Sequence, residues 1–495
     1  MLSRRMRICL LTSGSYPYAR DALGGWCRTL VNGLTDHTFD LLSLTDREPP
    51  ARTAYPLGPN VTSAVGVPLV GAPVRRDRRS DAADTAAVLL CRGLLGDHHE
   101  TADDFTDGLR RLAHLAATDQ APLDGVPLAD LLLDAVRADR AALGPDRASL
   151  PRLSLREART AAALLRNAVR ALAVQAPAVH LLHCVGGTAP LLAGLAARWR
   201  TGTPLLLTEA RPPIGRQRPA EERLSVMVRT LLRRFRRAVA RTGYAEAGLI
   251  APLSTYHHGW ALRQGARPDK LVAVPAGVDP RLHPPSGEPT GPPSLSWAGS
   301  PGTGLDQLLA AMVQVHARIP GTRLHVTTTG DHRQRYEQAA ADAGLLRYVQ
   351  VGPPGPDRRY AGGHVVVYLS GPAEPPYRLI EAMLSGRPVI GVDAGPVAET
   401  LGDAGVLVPA DDPAALAEAC VALLRSPWRR RELAIAARRR AFTHFTADRV
   451  VRCYDAIYSD LTAGAPAPAF ALTLALAAPR TPRPATVRWL AQEER

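Results

Sequence analysis

With 495 residues, of which 46% are hydrophobic and 21% charged, the chain suits about three units or two large domains with full cores. Its 41 glycines and 44 prolines stay below the level of low-complexity disorder, so a fibre, a disordered chain and a small disulfide scaffold are excluded. The net charge of +14 is almost all arginine, with Lys270 the single lysine, which confines lysine-based chemistry to one bland loop position.

Such a charge suits nucleic acid, an anionic membrane or a phosphorylated ligand. No aromatic-basic stripe and no zinc-finger spacing is present, which argues against nucleic acid. The six cysteines form no C-x-x-C pair and read as buried thiols in a reducing compartment. The apolar run after Arg7 ends at Thr12, short of the roughly 7–15 residues of a signal-peptide core. The apolar stretch from Phe470 to Ala478 is shorter than the ~20 residues of a membrane span. The expected location is cytoplasmic, with peripheral membrane association left open.

In chain order, Arg7–Thr12 predicts a strand, followed by a Gly/Ser/Tyr/Pro loop, a helix from Gly24-Gly25-Trp26 to about Leu34, and a strand at Phe39–Leu44. This order opens a doubly wound α/β domain. From about 75 to 175 the pattern turns helical, and Ser154-Leu155-Arg156-Glu157 has the form of a capping box. Strands return at Val179–Val185, Leu205–Thr208 and Leu249–Leu253, and Leu271–Pro275 is expected to close the domain. Between Arg216 and Arg241 lie nine arginines and two glutamates. There Leu224, Val228, Leu231, Leu232, Phe235 and Val239 share one helical face, opposite Arg229, Arg233, Arg236 and Arg237. This basic helix over 221–241 docks on its own domain, rests on an anionic membrane or holds an anionic acceptor.

Asp279–Pro293 holds six prolines and marks a boundary. Beyond it, strands near Leu295–Trp297, Leu324–Thr327, Tyr348–Val351, Val365–Leu369, Pro388–Val392 and Val406–Val408 alternate with helices. The expected organisation is an N-terminal Rossmann-like domain over 1–280 with a helical insertion at about 75–175, a linker at 281–293 and a C-terminal Rossmann-like domain over 294–445. A terminal helix at 446–463 is expected to pack back on the first domain, and a disordered tail to follow at 464–495. Two such domains are expected to face a cleft suited to a nucleotide-linked substrate. His98-His99-Glu100 with Asp103-Asp104 matches no zinc spacing, so no metal site is expected. His183, at a strand end, reads as a satisfied core histidine with substrate contact as the alternative.

Several motifs then converge. The loop Ser13-Gly14-Ser15-Tyr16-Pro17-Tyr18 with Gly24-Gly25-Trp26, Leu207-Thr208-Glu209, Val274-Pro275-Ala276-Gly277-Val278-Asp279 and the string from Leu379 to Ile390 resemble family 4 glycosyltransferases. The resemblance spans about residues 6–460 and is nearest to the branch typified by the Pel exopolysaccharide transferase. It implies a GT-B fold and retaining transfer of a sugar from a nucleotide-diphosphate donor to an acceptor the sequence does not identify. No metal or other cofactor is implied, and polysaccharide or glycoconjugate synthesis is the implied setting. By the same resemblance Gly24 and Gly25 would offer amides to the phosphates, Glu381 would bind ribose, and Glu399 would be a second acidic position. Glu374 and Arg378 would stand near the sugar and the diphosphate.

The chain departs from the family pattern at its charged positions. Ala210 replaces a His after Thr208-Glu209, no basic residue occurs between Trp297 and Leu309, and Ala373 stands at the first glutamate position, with Glu374 one residue away. Removing one group that stabilises developing charge costs about 10²–10³ in rate. Two readings therefore stay open: an active transferase, and an impaired GT-B homologue that binds nucleotide or scaffolds a partner.

Overall fold

A computed structural model describes residues 5–69, 80–95, 99–119, 121–143, 152–210, 221, 223–297, 304–328, 333–352, 360–369, 371 and 374–463. The expected tail at 464–495, the start of the helical insertion before 80, Arg211, Arg216, Ala373 and the loop 298–303 lie outside these residues. The chain divides into two compact units. Unit 1 holds the residues up to Leu253, His257–Ala273 and the stretch from Tyr454, and unit 2 holds Ser254–Tyr256 and Val274–Cys453.

Unit 1 is built on a parallel sheet of β1 (Arg7–Thr12), β2 (Thr38–Thr45), β3 (Val61–Pro68), β4 (Leu181–Val185), β5 (Leu205–Glu209) and β6 (Leu249–Pro252). Their order is β3-β2-β1-β4-β5-β6. The central strands are apolar runs buried on both faces, as strands covered by helices on both sides must be. Helix α1 (Ala22–Gly33) links β1 to β2, and α6 (Thr188–Thr201) links β4 to β5. The crossover from edge strand β3 to central strand β4 holds α2 (Asp81–Leu95), α3 (His99–Leu115), α4 (Leu128–Leu143) and α5 (Leu155–Val169).

Local chemistry sets these helices. Ser154 accepts from the Glu157 amide at 3.3 Å and the Glu157 carboxylate accepts from the Ser154 amide at 2.9 Å, completing the capping box. Helix α7 (Val226–Glu246) buries Val228, Leu231, Leu232, Phe235 and Val239 in the same core as α2, α3, α5 and α6. Its apolar face is therefore occupied by protein and is not open to a bilayer. Helix α8 (Thr255–Arg263) follows β6. The strand expected at Leu271–Pro275 is reduced to one bridge between Leu271 and Ile250. The run divides between the units after Ala273, and Pro275 brings no N–H for a ladder.

Unit 2 repeats the plan with β7 (Ser294–Trp297), β8 (Arg323–Thr327), β9 (Val349–Gly352), β10 (Val365–Tyr368), β11 (Val389–Val392) and β12 (Val406–Val408). Their order is β12-β11-β10-β7-β8-β9, the same winding as unit 1. Helices α9 (Leu305–Arg318), α10 (Arg333–Asp342), α11 (Tyr377–Leu384), α12 (Val397–Leu401), α13 (Pro413–Arg425) and α14 (Pro427–His444) belong to it. The last helix, α15 (Ala447–Thr462), runs on so that its residues from Tyr454 count with unit 1. Two parallel six-stranded sheets with helices are the α/β class expected from the sequence, and the architecture is that of the GT-B fold. All six cysteines are buried free thiols, with Cys91 pushed up to about 12 by burial.

Candidate functional site

In each sheet the strand order reverses at the centre, between β1 and β4 in unit 1 and between β7 and β10 in unit 2. Ligands of doubly wound sheets bind outside the carboxyl ends of the strands at such points.

In unit 2, β10 leads through Glu374-Pro375-Pro376 into α11. Two prolines suit this start, because first-turn amides have no intrahelical acceptor. The Ile380 amide bonds the Pro376 carbonyl and the Tyr377 amide the Pro375 carbonyl, both at 3.0 Å, and the positive end of the helix favours an anion. Arg378 lies in that first turn and Glu381 in the next. The Glu381 carboxylate accepts the Tyr360 phenol at 2.9 Å, and the same phenol lies 3.2 Å from the Arg378 carbonyl. Tyr360 is buried and held from behind by Arg387, whose guanidinium bonds the carbonyls of Tyr360, Ala361 and Gly287 at 3.4, 3.2 and 2.6 Å. Burial lowers the Arg387 pKa, and this web of acceptors offsets the desolvation. The structure thus brings Glu374, Arg378 and Glu381 to one sheet end and adds Tyr360 and Arg387. No sequence pattern pointed to Tyr360, while Arg387 stood unremarked inside the recognised string.

Glu399 lies in the first turn of α12. Its carboxylate accepts the Thr255 amide at 3.1 and 2.9 Å and also the Thr255 hydroxyl. Burial raises its pKa, against which bonds from Thr255, Ser254 and Tyr256 act. Arg440 holds the Glu399 and Thr400 carbonyls at 2.7 and 2.8 Å. The carboxylate expected to meet a nucleotide is engaged by the chain at 254–256.

Gly24 and Gly25 lie in the first turn of α1. Asp21 caps α1, taking the Gly24 amide at 2.6 Å on its side chain and the Gly25 amide at 2.9 Å on its carbonyl. Ser15 bonds the same carboxylate at 2.6 Å. A Cβ on Gly24 would stand 2.7 Å from the Ala19 carbonyl, so this glycine lets the loop close over the helix. An Asp three residues before Gly24 is the cap signal visible in the sequence.

The Thr208-Glu209 motif is likewise built into unit 1. His183 is fully buried, its ring nitrogens 2.8 Å from the Tyr458 phenol and 2.8 Å from the Thr208 hydroxyl, with Tyr454 stacked on it. Burial pushes His183 down to about 3, so it stays neutral, and it is a core histidine. Glu209 accepts the Tyr244 phenol at 2.7 Å, which together with burial holds that phenol far above its ordinary range. Among the described residues no group of three potential metal ligands occurs. None of their helices is long and apolar enough to cross a membrane.

Residues 6–269 match the family model described as domain of unknown function (DUF3492), and residues 293–426 match glycosyl transferases group 1. A phosphatidyl-myo-inositol mannosyltransferase of Mycolicibacterium smegmatis is 33% identical over 129 residues, 25% of this chain and 33% of that protein. The Mycobacterium leprae protein of the same description is 33% identical over 166 residues, 32% of this chain and 44% of its own length. The chain thus spans less than half the length of these curated relatives. Sucrose-phosphate synthase from Thermosynechococcus elongatus has a TM-score of 0.58 at 18% identity, covering 93% of this chain and 100% of that one. Anabaena HepE in complex with UDP has a TM-score of 0.55 at 13% identity, covering 92% and 100%.

Proposed function

The chain belongs to the family of the domain of unknown function DUF3492, and from the glycosyl transferases group 1 segment that follows it we propose a retaining, family 4-type glycosyltransferase that uses a nucleotide-diphosphate sugar. The observation that carries this reading is the end of β10 and α11. There Glu381, Arg378 and the first turn of α11 lie together, inside the matched segment and at the reversal of the sheet. Glu381 binds the ribose hydroxyls, and the α11 start with Arg378 faces the diphosphate. Glu374 stands near the sugar. In transfer, the bond between the anomeric carbon and the phosphate oxygen breaks, and the diphosphate leaves with the electron pair. The acceptor oxygen bonds the same face of that carbon and gives its proton to the departing diphosphate. The UDP complex of HepE makes UDP the first nucleotide to try, and the Pel-like loop makes a polysaccharide acceptor the first acceptor class.

One set of observations favours a second reading, a nucleotide-binding partner with little turnover. Thr208 and Glu209 are occupied within unit 1, Ala210 replaces the imidazole, and residues 298–308 contain no Lys, Arg or His. Charge aimed at the leaving group acts mainly in the transition state, so its loss lowers turnover more than affinity. Calorimetry with UDP and GDP, run beside turnover of a panel of UDP- and GDP-sugars, tests both. Binding with brisk turnover supports the transferase, binding with negligible turnover supports the nucleotide-binding partner, and no binding removes both in favour of a scaffold.

A further inference from the structure

The outer face of α14 carries a stripe the core does not use. Trp428, Ile435 and Phe442 follow at seven-residue intervals, and an α-helix drifts only ~20° per heptad, so the three project from one side. They are 66%, 69% and 45% exposed. Every other large apolar residue exposed to a similar degree among the described residues stands alone on its element. The opposite side of α14 is firmly seated. Leu433, Ala437 and Ala441 are buried, Arg430 grips Glu288 at 2.7 Å, and Arg438 donates to the Leu384 carbonyl. The stripe cannot turn inward without breaking these bonds.

Its surroundings are basic. Arg425, Arg431 and Arg439 are exposed, and the Arg438 guanidinium lies 4.8 Å over the Phe442 ring. An open groove of about 490 Å³ runs beside the stripe, lined by Arg429, Arg439, Arg440 and His444 with Asp403 and Glu432. Pairing with a second copy is disfavoured by this pattern. With the stripe at the a positions of a heptad, the exposed Arg431 takes a d position and would meet its like in a partner helix.

We propose that α14 docks this protein on an anionic phospholipid surface. Trp428, Ile435 and Phe442 enter the boundary between headgroups and acyl chains, and Arg425, Arg431 and Arg439 pair with lipid phosphates. The sequence pointed to 221–241 for such a contact, but the apolar face there is packed, whereas on α14 it is bare.

The test is co-sedimentation of the full chain with 1:1 phosphatidylglycerol/phosphatidylcholine vesicles and with pure phosphatidylcholine vesicles. Binding is expected to the first only and to fade with salt. The pair Arg431→Gln and Arg439→Gln should weaken it about fivefold per arginine. Trp428→Ser with Ile435→Ser and Phe442→Ser should weaken it at least about tenfold. All five positions are exposed, so circular dichroism melts should match the parent. Absence of binding by the parent, or undiminished binding by the triple variant, overturns the proposal. Light scattering that finds a dimer lost in the triple variant also overturns it, in favour of a second copy. UDP calorimetry on the same variants should be unchanged, so failure here is distinct from failure of the transferase reading.

Discussion

Tyr360 and Glu381 form the most testable pair in unit 2. Glu381→Ala removes a charged hydrogen-bond acceptor, which contributes about 1.5–3 kcal/mol, so UDP affinity measured by calorimetry should fall by roughly ten- to a hundredfold. Tyr360→Phe removes only the phenol that steadies this carboxylate at 2.9 Å, and should cost about 1 kcal/mol or less. If the two variants bind UDP like the parent, ribose recognition does not run through Glu381. In unit 1, His183 offers a pH signature. The folded state holds it near 3, against 6.5 for an ordinary imidazole, because burial disfavours the charged form. As pH falls from about 6.5 toward 3, the unfolded chain takes up a proton that the folded chain refuses, and stability declines. His183→Gln removes this uptake, so its urea midpoint should decline less steeply than the parent's over that window. Parallel declines would show that the imidazole titrates alike in both states.

Among the elements, α3 and α15 are each held by a specific contact. A Cβ on Gly108 would stand 2.7 Å from both the Ala86 carbonyl and the Leu90 amide, so Gly108→Ala should force α3 off α2. A cost of about 1–3 kcal/mol is expected by chemical denaturation. Tyr458→Phe deprives a buried His183 nitrogen of its 2.8 Å partner and should cost about 1–3 kcal/mol. Elements of this kind differ in how readable they were. The central strands announced themselves as unbroken apolar runs, the mark of burial on both faces. Edge strand β3 did not, because Val61–Pro68 is half-buried and carries Gly66 and Pro68. The α7 stripe was legible as amphipathic, but only packing could say that protein covers it. At the site, α11 was evident from Pro375-Pro376 and the string after it. The partners of Glu399 were hidden because Thr255 lies 144 residues away. Asp21, by contrast, stood in plain view as a cap.

At the scale of the molecule, the two sheets share one winding but differ in how far the chain travels before the centre closes. In unit 2 the central pair β7–β10 brings together residues such as Ser294 and His364, 70 apart in sequence. In unit 1 the helical crossover lies between β1 and β4, so Arg7 meets His180 at a separation of 173. The buried network around His183 waits still longer, for Tyr458 at a separation of 275. Loop closure alone adds only about 0.6 kcal/mol per doubling of length, but distant pairings also slow folding. The unit that leads in the sequence should therefore be the one that matures last. During synthesis β1 lacks its β4 neighbour until the helical crossover is made, and the sheet lacks α15 until Ala447–Thr462 has left the ribosome. Pulse-labelled hydrogen exchange during refolding should find β7 and β10 amides protected before those of β1 and β4. The reverse order would mean that the α2–α5 block assembles fast enough to act as a nucleus for the strands on either side of it.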